Sequence, residues 1–176
     1  MGHKGGAYFV IHLAVAHPER VSRVVLSGIG TISPDDIEKL RKIPMSRDIP
    51  MDREGQFLQR TWGTYQRMSS PDAPGDVICR PFLISLRSRL RPYDPHWNTM
   101  RWDRDAAIAK LSPDIPVLLT RGAHDVFCSQ QEELAARIPN STHVVMPNGG
   151  VFPYSEFPET AAAVLTEFLH LEDQPH

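Results

Sequence analysis

Residues 2 to 6 read Gly-His-Lys-Gly-Gly, a G-x-x-x-G spacing, and lead straight into the apolar run Ala7 to Ala16. His17-Pro18 stops that run, because proline has no donor to continue a helix and restricts the residue before it. The β-branched stretch Val21 to Leu26 comes next and is expected to be a strand reaching to residue 28, where Gly28 and Gly30 turn the chain away. A sharp glycine-bracketed turn opening a helix, with a strand close behind, leaves few choices of fold. The central residue must sit in a strained left-handed conformation, and its neighbours must be small for helix and strand to approach.

The end of the chain repeats the alternation. Ile115 to Arg121 is a short apolar strand, and Ser129-Gln130-Gln131-Glu132 has the pattern of a capping box opening a helix from Gln130 to Ile138. Thr142 to Met146 is the next strand, Pro147-Asn148-Gly149-Gly150 a turn, and Pro158 the start of a helix from Glu159 to Leu171. Strand and helix in alternation imply a parallel sheet and an α/β fold.

The middle differs. Ser33-Pro34 opens a helix expected at Asp35 to Lys42, after which Pro44, Pro50, Pro71, Pro74, Pro81, Pro92 and Pro95 chop the segment. Helical patches fall at Glu54 to Met68, Val77 to Arg91 and Met100 to Lys110. The expected organisation is core at 1–33, a helical insertion at 34–110, and core again at 111–176. Basic and acidic residues are both dense in the insertion, which reads as a mixed solvated surface. Arg87, Arg89 and Arg91 belong to that surface or meet an anionic substrate tail.

A chain of 176 residues is about one domain, and 41% hydrophobic content suffices for a core. A formal charge of -2 gives no reason to expect nucleic acid or an anionic membrane as partner. Cys79 and Cys128 fit no metal or redox spacing, so reduced thiols are expected, with no metal and no cofactor. No apolar run approaches the ~20 residues a spanning helix needs. A cytoplasmic protein is the simplest expectation.

The residues quoted so far resemble the α/β-hydrolase superfamily. Its members read roughly G-H-S-x-G-G, an apolar helix, H-P-E-R-V and a strand of the type R-L-V-L. This chain gives Gly2-His3-Lys4-Gly5-Gly6-Ala7, His17-Pro18-Glu19-Arg20-Val21 and Arg23-Val24-Val25-Leu26 at the same spacing. The resemblance implies a nucleophile elbow centred on Lys4, where the family has serine. It also implies that residues 34–110 form the lid. Several strands, and the loop giving the first oxyanion donor, precede the elbow in the family, whereas Met1 stands directly before it here. The expected fold is therefore an α/β-hydrolase fold lacking the N-terminal strands. Three expectations compete: a fragment or an internal start, a partner chain carrying the other half, or a homo-oligomer joined through the open sheet edge. Residues 53 to 105 resemble more loosely a subset with histidine or lysine at the elbow and a tryptophan like that of Thr61-Trp62, which implies that Lys4 is a lineage trait.

A serine hydrolase needs a nucleophile, a base and an acid that orients the base. The resemblance puts the acid at Asp125, in Arg121-Gly122-Ala123-His124-Asp125. The base belongs in Pro147-Asn148-Gly149-Gly150-Val151-Phe152-Pro153, where Val151 stands in place of histidine. Acyl-serine chemistry is thus not supported. Lys4 has three readings. It pairs inertly with Asp125, whose usual partner is gone; it anchors a carboxylate or enolate as a cation; or, with its charged form disfavoured by burial and the positive helix end, it acts as a neutral nucleophile or base. His3, Gly5, Trp62, His124, Val151 and Tyr154 are the candidate substrate-binding residues beside Lys4 and Asp125. Trp62, Tyr65, His96 and Trp97 line an apolar pocket or simply form core. Cys128 lacks a partner base and is a poor nucleophile. The expected function is binding or non-hydrolytic conversion of a small apolar carbonyl compound. The alternatives are a non-catalytic binding or scaffold subunit, and an ordinary small-molecule hydrolase.

Overall fold

A computed structural model of the chain describes residues 1–30, 38, 49–89, 103–125, 127–128 and 130–170. Its elements in order are β1 (Gly2–His3), α1 (Gly5–Ala16), a 3₁₀ turn (Pro18–Arg20), β2 (Val24–Ser27), α2 (Gln56–Met68), α3 (Gly75–Ser88), α4 (Arg104–Ile108), β3 (Val117–Gly122), α5 (Gln131–Ala135), β4 (Ser141–Met146), α6 (Pro153–Glu156) and α7 (Pro158–His170). The four strands form one sheet in the order β1-β2-β3-β4. Every pairing is parallel, as the alternation of elements implies.

Both faces of the sheet are covered, because alternate residues of β2 and β3 point to opposite sides. On one face Val24, Leu26, Val117 and Leu119 join Ala7, Ile11 and Ala14 of α1, Ile108 of α4, Leu134 and Ala135 of α5, and Ile138. On the other, Val25 and Leu118 meet Phe168, Val164 and Leu165 of α7. The spacing of Ala7, Ile11 and Ala14 is one stripe of a helix, which explains why α1 lies flat on the sheet.

The structure differs from several sequence expectations. The strand after His17-Pro18 starts at Val24, since residues 18–20 close a 3₁₀ turn and the Val21 N–H is taken by the Pro18 carbonyl at 3.2 Å. The helix expected at Val77 to Arg91 forms with Pro81 inside it, but starts earlier, at Gly75, and ends at Ser88. The helix expected over 100–110 is only Arg104–Ile108, started by the Asp103 carboxylate accepting from Ala106 N–H at 3.0 Å. The helix expected from Gln130 to Ile138 is shorter: Gln130 is the N-cap of α5, its side chain makes no cap, and the helix stops at Ala135, while Ser129 of the expected capping box lies outside the described residues. The short α6 had no expectation at all. The helix expected at Asp35 to Lys42 and the residues His96 and Trp97 lie outside the described residues, except that Glu38 is helical.

Candidate functional site

The elbow forms where the glycine spacing puts it. Lys4 follows β1 directly, stands at the N-cap of α1 and has φ 49° and ψ -120°. Its N–H donates to the Ser27 carbonyl at 2.8 Å and its own carbonyl accepts from Ala7 N–H at 3.0 Å, so β2 and α1 hold the strained residue from both sides. A Cβ on Gly2 would lie 2.4 Å from the Gly6 carbonyl oxygen, so strand and helix approach too closely there for any side chain.

The turn after β3 delivers the acid. His124 N–H donates to the Gly149 carbonyl at 2.8 Å and Asp125 N–H to the Gly122 carbonyl at 3.1 Å. Asp125 is thereby buried, 2% exposed, under the elbow. Lys4 Nζ lies 2.5 Å from Asp125 Oδ2. Phe127 N–H donates to Asp125 Oδ1 at 3.1 Å, so both carboxylate oxygens are satisfied. The same ammonium donates to Cys128 Sγ at 3.3 Å and sits 5.5 Å from the centre of the Phe127 ring. Of the three readings of Lys4, the pair with Asp125 is the one this geometry displays. Removing one partner of such a buried pair costs on the order of 3–5 kcal/mol, so the two residues stabilise each other's presence.

His3 lies beside them. Its Nδ1 is 2.9 Å from Ser27 Oγ. Burial pulls its pKa from the ordinary 6.5 down to about 4, with the Lys4 charge pushing the same way. The imidazole is therefore neutral at pH 7. Its ring faces Phe152 at 6.2 Å and Tyr154 at 6.3 Å. Tyr154 hydroxyl and Thr120 Oγ1 are 2.6 Å apart.

Val151 is buried, and its N–H donates to the Met68 carbonyl at 2.7 Å. The loop bearing it is fastened to the end of α2. The buried Glu156 carboxylate accepts from Gly150 N–H and, at 3.3 Å, from Ser70 N–H. A Cβ on Gly150 would lie 2.5 Å from Ser70 N, so only glycine lets the two segments meet. Tyr65 of α2 stacks on Phe152 at 6.1 Å.

Lys4, Asp125 and His3 thus converge, with Val151 and Tyr154 next to them through the 150–154 loop. Gly5 opens α1. His124 is at the surface and contributes its backbone to the turn. Trp62, half-buried, packs edge-on against Phe82 of α3 at 5.4 Å. Arg89 is taken up by the Ile49 carbonyl and the Phe57 ring. Ser27, Thr120 and Phe127 are not among the candidates the sequence offers, and Cys128, expected to be a poor nucleophile, is buried. A signal for two of them existed. His3, Ser27, Thr120 and Val144 are successive neighbours in register across the sheet. Polar residues near the carboxyl ends of parallel strands mark the side where such sheets carry ligands. Among the described residues no cluster of His, Cys, Asp and Glu could hold a metal ion.

No family model matches this chain, and no curated protein matches it. Solved structures do. BpoC of Mycobacterium tuberculosis H37Rv aligns over 97% of this chain and 65% of its own, at 18% identity and a TM-score of 0.67. The 2-hydroxy-6-oxo-6-phenylhexa-2,4-dienoate hydrolase BphD of Rhodococcus sp. strain RHA1 aligns over 96% and 62%, at 15% identity and 0.64. A thermophilic esterase of Thermogutta terrifontis aligns over 97% and 63%, at 21% identity and 0.62. The chain therefore has the α/β-hydrolase fold. It spans just under two-thirds of the length of the solved structures it matches.

Proposed function

We propose that this chain binds a small apolar carbonyl compound over the Lys4 elbow, and that any reaction there is non-hydrolytic, of the lyase, isomerase or cyclase kind. The observation that carries the reading is the Lys4 ammonium, held at the strained elbow by Asp125 at 2.5 Å. An ammonium has three N–H donors. Asp125 and Cys128 engage two, which leaves one for a ligand oxygen and makes Lys4 an anchor for a carbonyl or for the negative charge of its enolate. The rings of Phe127, Phe152 and Tyr65 supply the apolar surroundings, with α2 and α3 acting as the lid tied down at Met68 and Ser70. Val151 holds the place of the base histidine, so the serine-type constellation of nucleophile, base and acid is incomplete at the elbow. No cofactor enters this reading, and the setting is the cytoplasm.

The test uses the purified chain. Aryl esters such as p-nitrophenyl butyrate are expected to show no turnover above buffer. Acetophenone, titrated calorimetrically, is expected to bind at least about tenfold more weakly to a Lys4→Met variant that still melts cooperatively. Ester turnover lost in Asp125→Asn would instead restore an ordinary small-molecule hydrolase.

A second reading rests on a different observation. Among the described residues β1 is hydrogen-bonded to a strand on one side only, and Phe9 and Leu13 of α1 are 73% and 50% exposed. We infer from this that the open edge takes up a second chain, a further copy or a separate subunit, and that the protein serves as a binding component of that assembly.

A further inference from the structure

The Lys4 ammonium touches one group whose own reactivity the anchoring reading does not use. Cys128 Sγ lies 3.3 Å from Lys4 Nζ, and Cys128 is 3% exposed. The chain has two cysteines; the other, Cys79, sits on α3, and neither is disulfide-bonded. Asp125 Oδ2 is 2.5 Å from the same Nζ. A sulfur, an amine in contact with it and a carboxylate able to take the amine's proton are what a sulfur–nitrogen bond requires once the sulfur is oxidised. We propose that Lys4 and Cys128 form a reversible cross-link, a sulfenamide between Nζ and Sγ, when the chain meets a peroxide.

The chemistry balances with one equivalent of hydrogen peroxide. The Cys128 thiol attacks the peroxide, the O–O bond breaks, and sulfenic acid and one water result; sulfur loses two electrons and the peroxide gains them. Lys4 then passes a proton to Asp125 and its lone pair attacks sulfur. The S–O bond breaks, the hydroxide leaves as a second water with the proton from Asp125, and the remaining extra proton on nitrogen goes to solvent. One N–H remains on Lys4. The lysine side chain has four methylenes, so closing 3.3 Å needs torsions and no main-chain shift. A thiol reductant reverses the bond. While it stands, the elbow has no ammonium and Asp125 has no cation.

Burial pushes the Cys128 thiol up to about 11, with the Asp125 charge adding to it and the Lys4 charge opposing. The thiolate is the form that attacks peroxide, so cross-linking speeds up as pH rises towards that value. This inference rests on the contact geometry and needs no carbonyl ligand.

The experiment uses a Cys79→Ser chain, in which Cys128 is the sole thiol, treated with hydrogen peroxide. Intact mass is expected to fall by about 2 Da with no dimer, the signature of two lost hydrogens. Peptide mapping is expected to find the segment containing Lys4 joined to the segment containing Cys128, and dithiothreitol to separate them. Lys4→Arg in the same background keeps the cation but is expected to yield Cys128 sulfinic acid and no joined peptide. Cys128 ending as sulfinic acid beside an unmodified Lys4, or remaining a thiol, overturns the proposal. Should Cys79→Ser fail to melt cooperatively, the same joined peptide is sought in the native sequence, where a Cys79–Cys128 disulfide in its place overturns the proposal equally.

Discussion

His3 shows what the elbow demands of a single residue. It precedes the strained Lys4, and its ring is pressed between Ser27 Oγ and the Phe152 and Tyr154 rings. Its pKa is lowered to about 4 in the folded chain, chiefly by burial and then by Lys4. Unfolded, it returns to about 6.5. A depressed folded value means that the unfolded state binds the proton first, so this contribution is complete above about 6.5 and is lost as pH falls towards about 4. The loss between about pH 7.5 and about pH 5 comes to about 2 kcal/mol for this one group. Urea unfolding of the native chain and a His3→Asn variant at the two pH values should show the native chain losing that much more than the variant. Equal losses would mean that the ring is solvated. The identity of the elbow residue, its positive φ and the acid at Asp125 were all legible from glycine spacing and motif register. The neutral state of His3 was not, because it depends on Tyr154 and Phe152, some 150 residues along the chain.

The elbow as an element depends on one glycine more than on the others. In the G-x-x-x-G spacing both ends look alike in sequence, yet the structure separates them. Gly2 is buried and a Cβ on it would lie 2.4 Å from the Gly6 carbonyl oxygen, whereas a Cβ on Gly6 itself would meet nothing within 4 Å. Gly6 is exposed and lies in the first turn of α1, where alanine lowers the backbone entropy of the unfolded chain without a clash. Gly6→Ala should thus raise stability by up to about 1 kcal/mol. Gly2→Ala should cost at least about 3 kcal/mol, because β1 must separate from α1 to admit the methyl group. Thermal melts of the two variants decide the matter, and similar effects would mean that the approach of strand and helix is looser than 2.4 Å implies. Strand and helix order was legible from periodicity. The shortening of α5 to Ala135 was not, because tertiary packing overrides local preference there. The strap from Glu156 to Ser70 and Gly150 joins segments 86 and 6 residues apart, and no local pattern announces it.

At the scale of the molecule, α1 shows an apolar side to solvent. Its sheet-facing stripe of Ala7, Ile11 and Ala14 is fully buried, and between Gly5 and Ala16 it has no Asp, Glu, Lys or Arg to cover its outer side. Phe9 and Leu13 lie one turn apart on that outer side, 73% and 50% exposed. A helix that is apolar all round belongs inside a larger structure. Among the described residues no strand pairs with the outer edge of the adjoining β1, two residues long, and a parallel sheet left open at its edge is a template for another strand. Burying both side chains fully would contribute about 3–5 kcal/mol towards association. The purified chain should accordingly show, by light scattering, a mass above that of the monomer that rises with concentration. A Phe9→Glu, Leu13→Glu double variant should return it to the monomer, since each introduced carboxylate would have to be desolvated at the contact. The exchange removes no core contact, so the thermal midpoint of the double variant should stay within a few degrees of the native monomer's. A native chain that is monomeric at every concentration would place the covering of α1 within one chain, and the binding-subunit reading would fall with it.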